Sequence, residues 1–145
     1  MTDEPVIRPA GQADARRIGE LDREWTPILD RAERFQRAAS KGRLLVAEVE
    51  GELVGYAAQG RFFGYDFLEL LAVRPDKRRQ GIARALIRAV EARSSSGKLF
   101  TSTNRSNLPM RRLCDRLGFK RSGVVENLDN DDPELVYYKR LEVAR

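Results

Sequence analysis

Phe67-Leu68-Glu69-Leu70-Leu71-Ala72-Val73-Arg74-Pro75-Asp76-Lys77-Arg78-Arg79-Gln80-Gly81-Ile82-Ala83 decides how this chain is read. Its first seven residues are a short, mostly apolar run closed by a Pro-Asp turn signal, the pattern of a strand. From Ile82 onward, Leu86, Ala89, Val90 and Arg93 recur at three- and four-residue spacings, the pattern of a helix. A basic loop joins the two, and Gly81 opens the helix. A helix N-terminus leaves backbone N–H groups without intrahelical partners, and its dipole adds partial positive charge. Lys77, Arg78 and Arg79 add full charges, and glycine at 81 lets an anion reach the backbone with no Cβ in the way. The stretch predicts a phosphate-binding device. Neither the nucleotide P-loop pattern nor the dinucleotide G-x-G-x-x-G is present.

Upstream, residues 6–10 read as a first strand stopped by Pro9 and Gly11. Asp14 is placed to cap a helix carrying Ile18 and Leu21 and running to about Trp25; Pro27 breaks it. A second helical stretch carries Ile28, Leu29, Ala32 and Phe35; two helices joined near Trp25-Thr26-Pro27 suit a substrate-facing lip, though Trp25 reads first as packing them onto a sheet. Residues 44–49 and 53–58 are strands joined in a hairpin through Gly51. Downstream, residues 98–103 form a strand, and Asn107 caps a helix over 108–117 with Pro109 in its first turn. Met110, Leu113, Cys114 and Leu117 make the apolar stripe of that helix; Gly118 ends it and Phe119 starts a new strand. Residues 134–141 read as a closing strand.

Three of these segments carry a resemblance. Arg78-x-x-Gly81-x-Ala83 after a strand resembles the acetyl-CoA pyrophosphate loop of the GNAT-type N-acetyltransferases, Q/R-x-x-G-x-G/A. Asn107-x-x-Met110-x-x-Leu113-Cys114-x-x-x-Gly118-Phe119 resembles that family's second motif, N-x-x-A/M-x-x-L-Y-x-x-x-G-F, and residues 134–141 resemble its closing strand. The resemblance covers residues 6–141. It implies a single α/β (α+β) domain over 1–145, with a mixed, mostly antiparallel sheet of about six to seven strands and about four flanking helices, splayed between the fourth and fifth strands. It also implies acetyl transfer from acetyl-CoA to a primary amine, by direct attack in a ternary complex.

Carried over residue by residue, the resemblance assigns cofactor binding to the strand at Leu71, Ala72 and Val73. It assigns the pyrophosphate to the loop Arg78, Arg79, Gln80, Gly81, Ile82 and Ala83, the pantetheine arm to Asn107, and a further cofactor contact to Asn104. The acyl carbonyl would lie between the strands at 67–73 and 98–103, where a backbone N–H can stabilise a developing oxyanion. An amine must lose a proton, and Glu69, on the strand facing the acyl group, is the expected base, with Asp66 and Glu24 as weaker candidates. A bulge in that strand would decide where Glu69 points.

The sequence departs from the family at Cys114, where a tyrosine usually protonates the departing thiolate. A thiol of reference pKa about 8.5 can donate, and a small buried packing residue is the alternative. Tyr137 or Tyr138 on the last strand could supply the missing acid. Glu126, Asp129, Asp131 and Asp132 either attract a cationic amine or build a solvated turn on Asn130-Asp131-Asp132-Pro133.

The remaining bounds agree with this reading. At 145 residues with 41% hydrophobic side chains, the chain can bury a core. One cysteine and no histidine exclude an intrachain disulfide and argue against a zinc site. No run reaches membrane-spanning length and the first residues are not a signal peptide, so a cytoplasmic protein is expected. Between Arg74 and Arg93, seven cationic side chains oppose two anionic ones, which equals the net charge of +5. A nucleic-acid-binding module would show such a patch, but no aromatic residue interleaves it, and the CoA phosphates account for it. An acyl-CoA-binding sensor without transfer activity is a further alternative. The expected acceptor is a small-molecule or peptide amine, and the resemblance also suggests a homodimer.

Overall fold

A computed structural model describes residues 4–26 and 31–142. In chain order the elements are β1 (Val6–Pro9), α1 (Gln12–Trp25), α2 (Ala32–Ser40), β2 (Leu44–Val49), β3 (Glu52–Phe62) and β4 (Tyr65–Val73), then α3 (Ile82–Arg93), β5 (Lys98–Asn104), α4 (Leu108–Arg116), β6 (Lys120–Val125) and β7 (Glu134–Arg140). A one-turn 3-10 helix, Pro75–Lys77, lies between β4 and α3. The strands form one seven-stranded sheet in the order β1-β2-β3-β4-β5-β7-β6, antiparallel throughout except for the parallel pair β4–β5. This is the mixed, mostly antiparallel sheet with four helices that the sequence implied.

Each face of the sheet has its own core. On one face Ile82, Leu86, Ile87 and Val90 of α3 and Cys114 of α4 pack on Val54, Ala57, Leu68, Val73, Leu99, Leu135 and Tyr137. On the other, Ala15 and Ile18 of α1 and Phe35 of α2 pack on Leu44, Val46, Tyr56, Ala58 and Leu70. Trp25 stacks on Tyr56 with ring centroids 5.7 Å apart, and so holds α1 to the sheet. Asp22 is fully buried beneath it, accepting from the Tyr56 hydroxyl and the Arg31 guanidinium, which joins α1, β3 and the start of α2. Ile28 and Leu29 lie outside the described residues.

Three sequence expectations change. The N-cap of α1 is Gly11; Asp14 sits one turn in and accepts from the Gly11 N–H at 3.0 Å, so its carboxylate still satisfies an orphan donor. β3 continues past Ala58 to Phe62, because the segment over 59–62 pairs with the start of β4. Phe119 is buried in the core just ahead of β6 and does not itself open that strand.

Candidate active site

Only Asp66, Phe67 and Leu68 of β4 register with β5, opposite Leu99, Phe100 and Thr101. At the last of these pairs the Thr101 hydroxyl donates to the Leu68 carbonyl at 3.0 Å. Beyond it, β4 keeps its ladder to β3 as far as Val73 opposite Gly55, and β5 keeps its ladder to β7 as far as Asn104 opposite Glu134. The facing edges, residues 69–73 and 102–104, part as a wedge whose strand N–H and C=O groups have no strand partner. An extended ligand arm can pair with such an edge. Leu71, Ala72 and Val73 form its β4 side.

Above that edge lies the predicted phosphate loop. Arg79 (φ 64°) and Gly81 (φ 82°) are both left-handed, which turns successive backbone N–H groups into a concave anion nest. A Cβ on Gly81 would meet nothing within 4 Å, so the space before the helix is open. The first helical bond runs from the Ala85 N–H to the Gly81 carbonyl at 3.0 Å, leaving the amides of Ile82, Ala83 and Arg84 without helix partners. α3 carries no acidic residue in its first turn. Arg74 is spent on Asp76 and Glu52, and Arg88 on Glu91. Lys77, Arg78, Arg79 and Arg84 form no ion pair among the described residues, and the Arg78 Nε leans back to the Val73 carbonyl at 3.4 Å. Gln80 is exposed in the same loop. Gly55 sets the helix height: a Cβ there would lie 2.9 Å from the Ala72 carbonyl oxygen and 3.2 Å from Ile82 and Leu86.

On the opposite face of the wedge is Glu69. The β3–β4 register passes from Ala58 opposite Leu70 to Gln59 opposite Leu68, so Glu69 is the extra residue of a β-bulge. Its side chain turns to the α1/α2 face, where Arg34 of α2 donates twice to Oε1, at 2.6 and 3.1 Å. Oε2 lies over Gly60, only 2.6 Å from where a Cβ would be, and takes no donor among the described residues. The phosphate cradle and the Glu69 carboxylate thus lie on opposite faces of the sheet, the carboxylate over β3 beside the wedge.

Comparisons with known proteins agree with this geometry. Residues 13–119 match the sequence profile of the Acetyltransferase (GNAT) family. The chain belongs to the GNAT acetyltransferase family. A GNAT acetyltransferase structure from Bacillus cereus ATCC 10987 is 32% identical, with 95% of this chain and 98% of that one covered and a TM-score of 0.89. The ribosomal-protein-S18-alanine N-acetyltransferase of Escherichia coli shares the fold at 19% identity, covering 97% and 96% with a TM-score of 0.83. Arabidopsis thaliana NAA60, solved in complex with acetyl-CoA, shares it at 21% identity, covering 94% and 99% with a TM-score of 0.79. No curated protein matches the chain significantly.

Against the GNAT pattern, the expected site residues divide. Asn107 caps α4 through Oδ1, which accepts from the Met110 N–H at 3.2 Å, so its Nδ2 stays available to a ligand. Asn104 is engaged elsewhere: its Nδ2 donates to Asp129 Oδ2 at 2.8 Å and to the Asp132 carbonyl at 3.1 Å. Asp132 in turn holds Ser106, so the acidic segment is a tied turn. Cys114 is closed from solvent in the core, and burial, with a smaller push from the Asp115 carboxylate, raises its thiol to about 12. Tyr138 lies on β7 opposite Phe100, at the level of Phe67 and so below the last β4–β5 pair. Asp66 faces the other way, accepting from the Ser95 and Ser96 amides, the Ser96 hydroxyl and Gln59. Glu24 is exposed on α1.

The sequence reading missed two groups. Ser102, on the β5 edge of the wedge, donates to Glu134 Oε2 at 2.7 Å, which sets a second carboxylate beside the notch. Phe62, Phe67, Phe100 and Tyr138 form a half-buried aromatic row across β3, β4, β5 and β7 on the same face as Glu69. The density of aromatics over 62–67 was the available signal. Among the described residues no group of three or more His, Cys, Asp or Glu could hold a metal ion, and no helix is long and apolar enough to cross a membrane.

Proposed function

We propose that the chain transfers an acetyl group from acetyl-CoA to a primary amine by direct attack in a ternary complex. The observation that carries this is the bulge at Glu69, which sets on the sheet face opposite α3 a carboxylate whose Oε2 takes no donor among the described residues. Donor and acceptor then have separate entrances and meet between β4 and β5. The amides of Arg79, Gly81, Ile82 and Ala83, with Lys77, Arg78, Arg79 and Arg84 around them, fit a pyrophosphate. The β4 edge at Leu71 and Val73 fits the extended arm by strand-like pairing, and Asn107 Nδ2 can donate to it from the other side. Bound acetyl-CoA supplies an activated acyl carbonyl.

The chain's own residues do the rest. Holding two reactants in one notch supplies much of the rate. As the amine nitrogen bonds to the acyl carbon and the C–S bond breaks, Glu69 Oε2 takes the amine proton, directly or through a water, and CoA leaves as a thiolate that takes its proton from solvent, while Arg34 fixes the Glu69 side chain by gripping Oε1. Burial holds the Cys114 thiol neutral at physiological pH. Its burial supports a packing role, and the position of Tyr138 supports a role in the acceptor wall.

The test is CoA-thiol release from acetyl-CoA against a panel of amines, with acetyl-CoA binding titrated alongside. Amine-dependent release is the expected result. Tight binding without release across the panel would replace this reading with that of an acyl-CoA sensor, and absence of binding would overturn both.

A further inference from the structure

Among the described residues, the aromatic row on the acceptor face is not part of the core that α1 and α2 cover. α1 and α2 cover the sheet over Leu44, Val46, Tyr56, Ala58 and Leu70, all on β2, β3 or the upper half of β4. Below them the row is continuous: Phe62 lies 5.4 Å from Phe67 and 5.2 Å from Phe100, and Phe100 lies 6.1 Å from Tyr138. Tyr65 extends it, 5.8 Å from Phe100 and 37% exposed. A half-exposed patch of rings running up to a catalytic notch is the composition of a binding surface, since isolated exposed aromatics need no such register.

Its two ends differ in charge. Towards the notch stand the carboxylates of Glu69, whose Oε1 is ion-paired with Arg34, and of Glu134, which accepts from Ser102 and has no ion-pair partner among the described residues. At the outer end the Lys98 ammonium sits 5.1 Å over the Tyr65 ring. A ligand lying along the row is therefore drawn in with its cationic end towards the notch, and a second cation at its far end is repelled. Glu69 Oε2 lies over Gly60, the cross-strand partner of Phe67, so the carboxylate stands level with the Phe67–Phe100 pair; directly opposed Cβ positions are about 4.5–5.5 Å apart, within the reach of a two-carbon arm from ring to nitrogen.

We infer that the acceptor is an arylalkyl monoamine, its ring stacked on Phe67, Phe100 and Tyr138 and its nitrogen delivered to Glu69. This rests on the amine-acetylation reading above and names the substrate class of the same site. The charge gradient argues against diamines and polyamines, and the ring row argues for a planar group over an alkyl chain of equal length.

The experiment measures binding and turnover separately. Phenethylamine, hexylamine and 1,5-diaminopentane are titrated by calorimetry into the protein saturated with CoA, and each is then offered as acceptor with acetyl-CoA. Phenethylamine is expected to bind about tenfold more tightly than hexylamine, the difference that two aromatic contacts make. Phe100→Leu, which keeps apolar volume and loses the ring, is expected to remove most of that preference while acetyl-CoA still binds, which shows the variant folded. Equal affinity for phenethylamine and hexylamine, or stronger binding of the diamine, would overturn the inference even if the aliphatic amines are acetylated, and the transfer reading would then stand alone. Ring-selective binding with no acetylation of any amine would uphold the aromatic site and remove the transfer reading.

Discussion

The Thr101 hydroxyl donates to the Leu68 carbonyl at 3.0 Å, and the next residue of β4, Glu69, is the one left without a partner on β3. The apex of the wedge and the bulge therefore coincide. One strand loses its register with β3 at the same height at which it loses its neighbour β5, so a single irregularity sets both the open edge of the notch and the direction of the Glu69 side chain. Thr101 is buried, and a valine there would keep the shape but withdraw the donor. Thr101→Val is expected to cost about 1 kcal/mol in denaturant unfolding and to lower kcat, with acetyl-CoA affinity at the distant loop nearly unchanged.

Gly60 holds room for Glu69. The 2.6 Å approach of Oε2 to a Cβ position means that alanine there must displace the carboxylate, and the displaced atom is the end of a flexible side chain. Gly60→Ala is expected to change stability little and to lower kcat about tenfold, on the low side of what a general base contributes. Steady-state kinetics against the thermal unfolding midpoint separates the two effects.

How far the sequence could reach follows from these residues. The loop was legible because its chemistry is local: Gly81, the run of cations and the following apolar helix stand within one short stretch, and the structure only adds that Arg79 shares the left-handed conformation. The order of strands and helices was legible from periodicity and turn residues. The bulge was not, because whether Glu69 or Leu70 is the extra residue depends on the packing of Leu70 against α1 and α2 and of Leu68 against the opposite core. The aromatic row was not, because Phe62, Phe67, Phe100 and Tyr138 become neighbours only when β5 pairs with both β4 and β7. Asn104 and Asn107 look alike in sequence, and only the tied turn at Asp129 and Asp132 separates the engaged amide from the available one.

Asp66 anchors the base of β4 to the loop before β5. Burial works to raise its carboxyl, but the hydrogen bonds from Ser96, Gln59 and Ser95 outweigh it and hold the pKa below the ordinary 3.8. A depressed folded-state pKa contributes stability above the unfolded value, and that contribution disappears as pH falls through the folded one. Asp66→Asn is therefore expected to lower stability by about 2 kcal/mol at neutral pH, and the gap to wild type should close in unfolding measurements taken progressively below pH 3.8.

Cys114 should be chemically silent. With the thiol buried and raised to about 12, an exposed-thiol reagent at neutral pH is expected to react only after denaturation. Cys114→Ala should leave kcat within about twofold of wild type and cost about 1 kcal/mol of stability, a loss of packing alone. Rapid labelling of the native protein, or a large fall in kcat, would return the residue to the reaction.

In the proposed reaction the bulged carboxylate of Glu69 is the base for an acceptor facing acetyl-CoA across the notch. Its most direct test compares amine-dependent CoA release by wild type and Glu69→Gln, with acetyl-CoA affinity measured for both. The account predicts unchanged acetyl-CoA affinity and a kcat lower by about 10²-fold or more in the variant, because the glutamine keeps the shape and cannot take a proton. Equal turnover by the two proteins would contradict it.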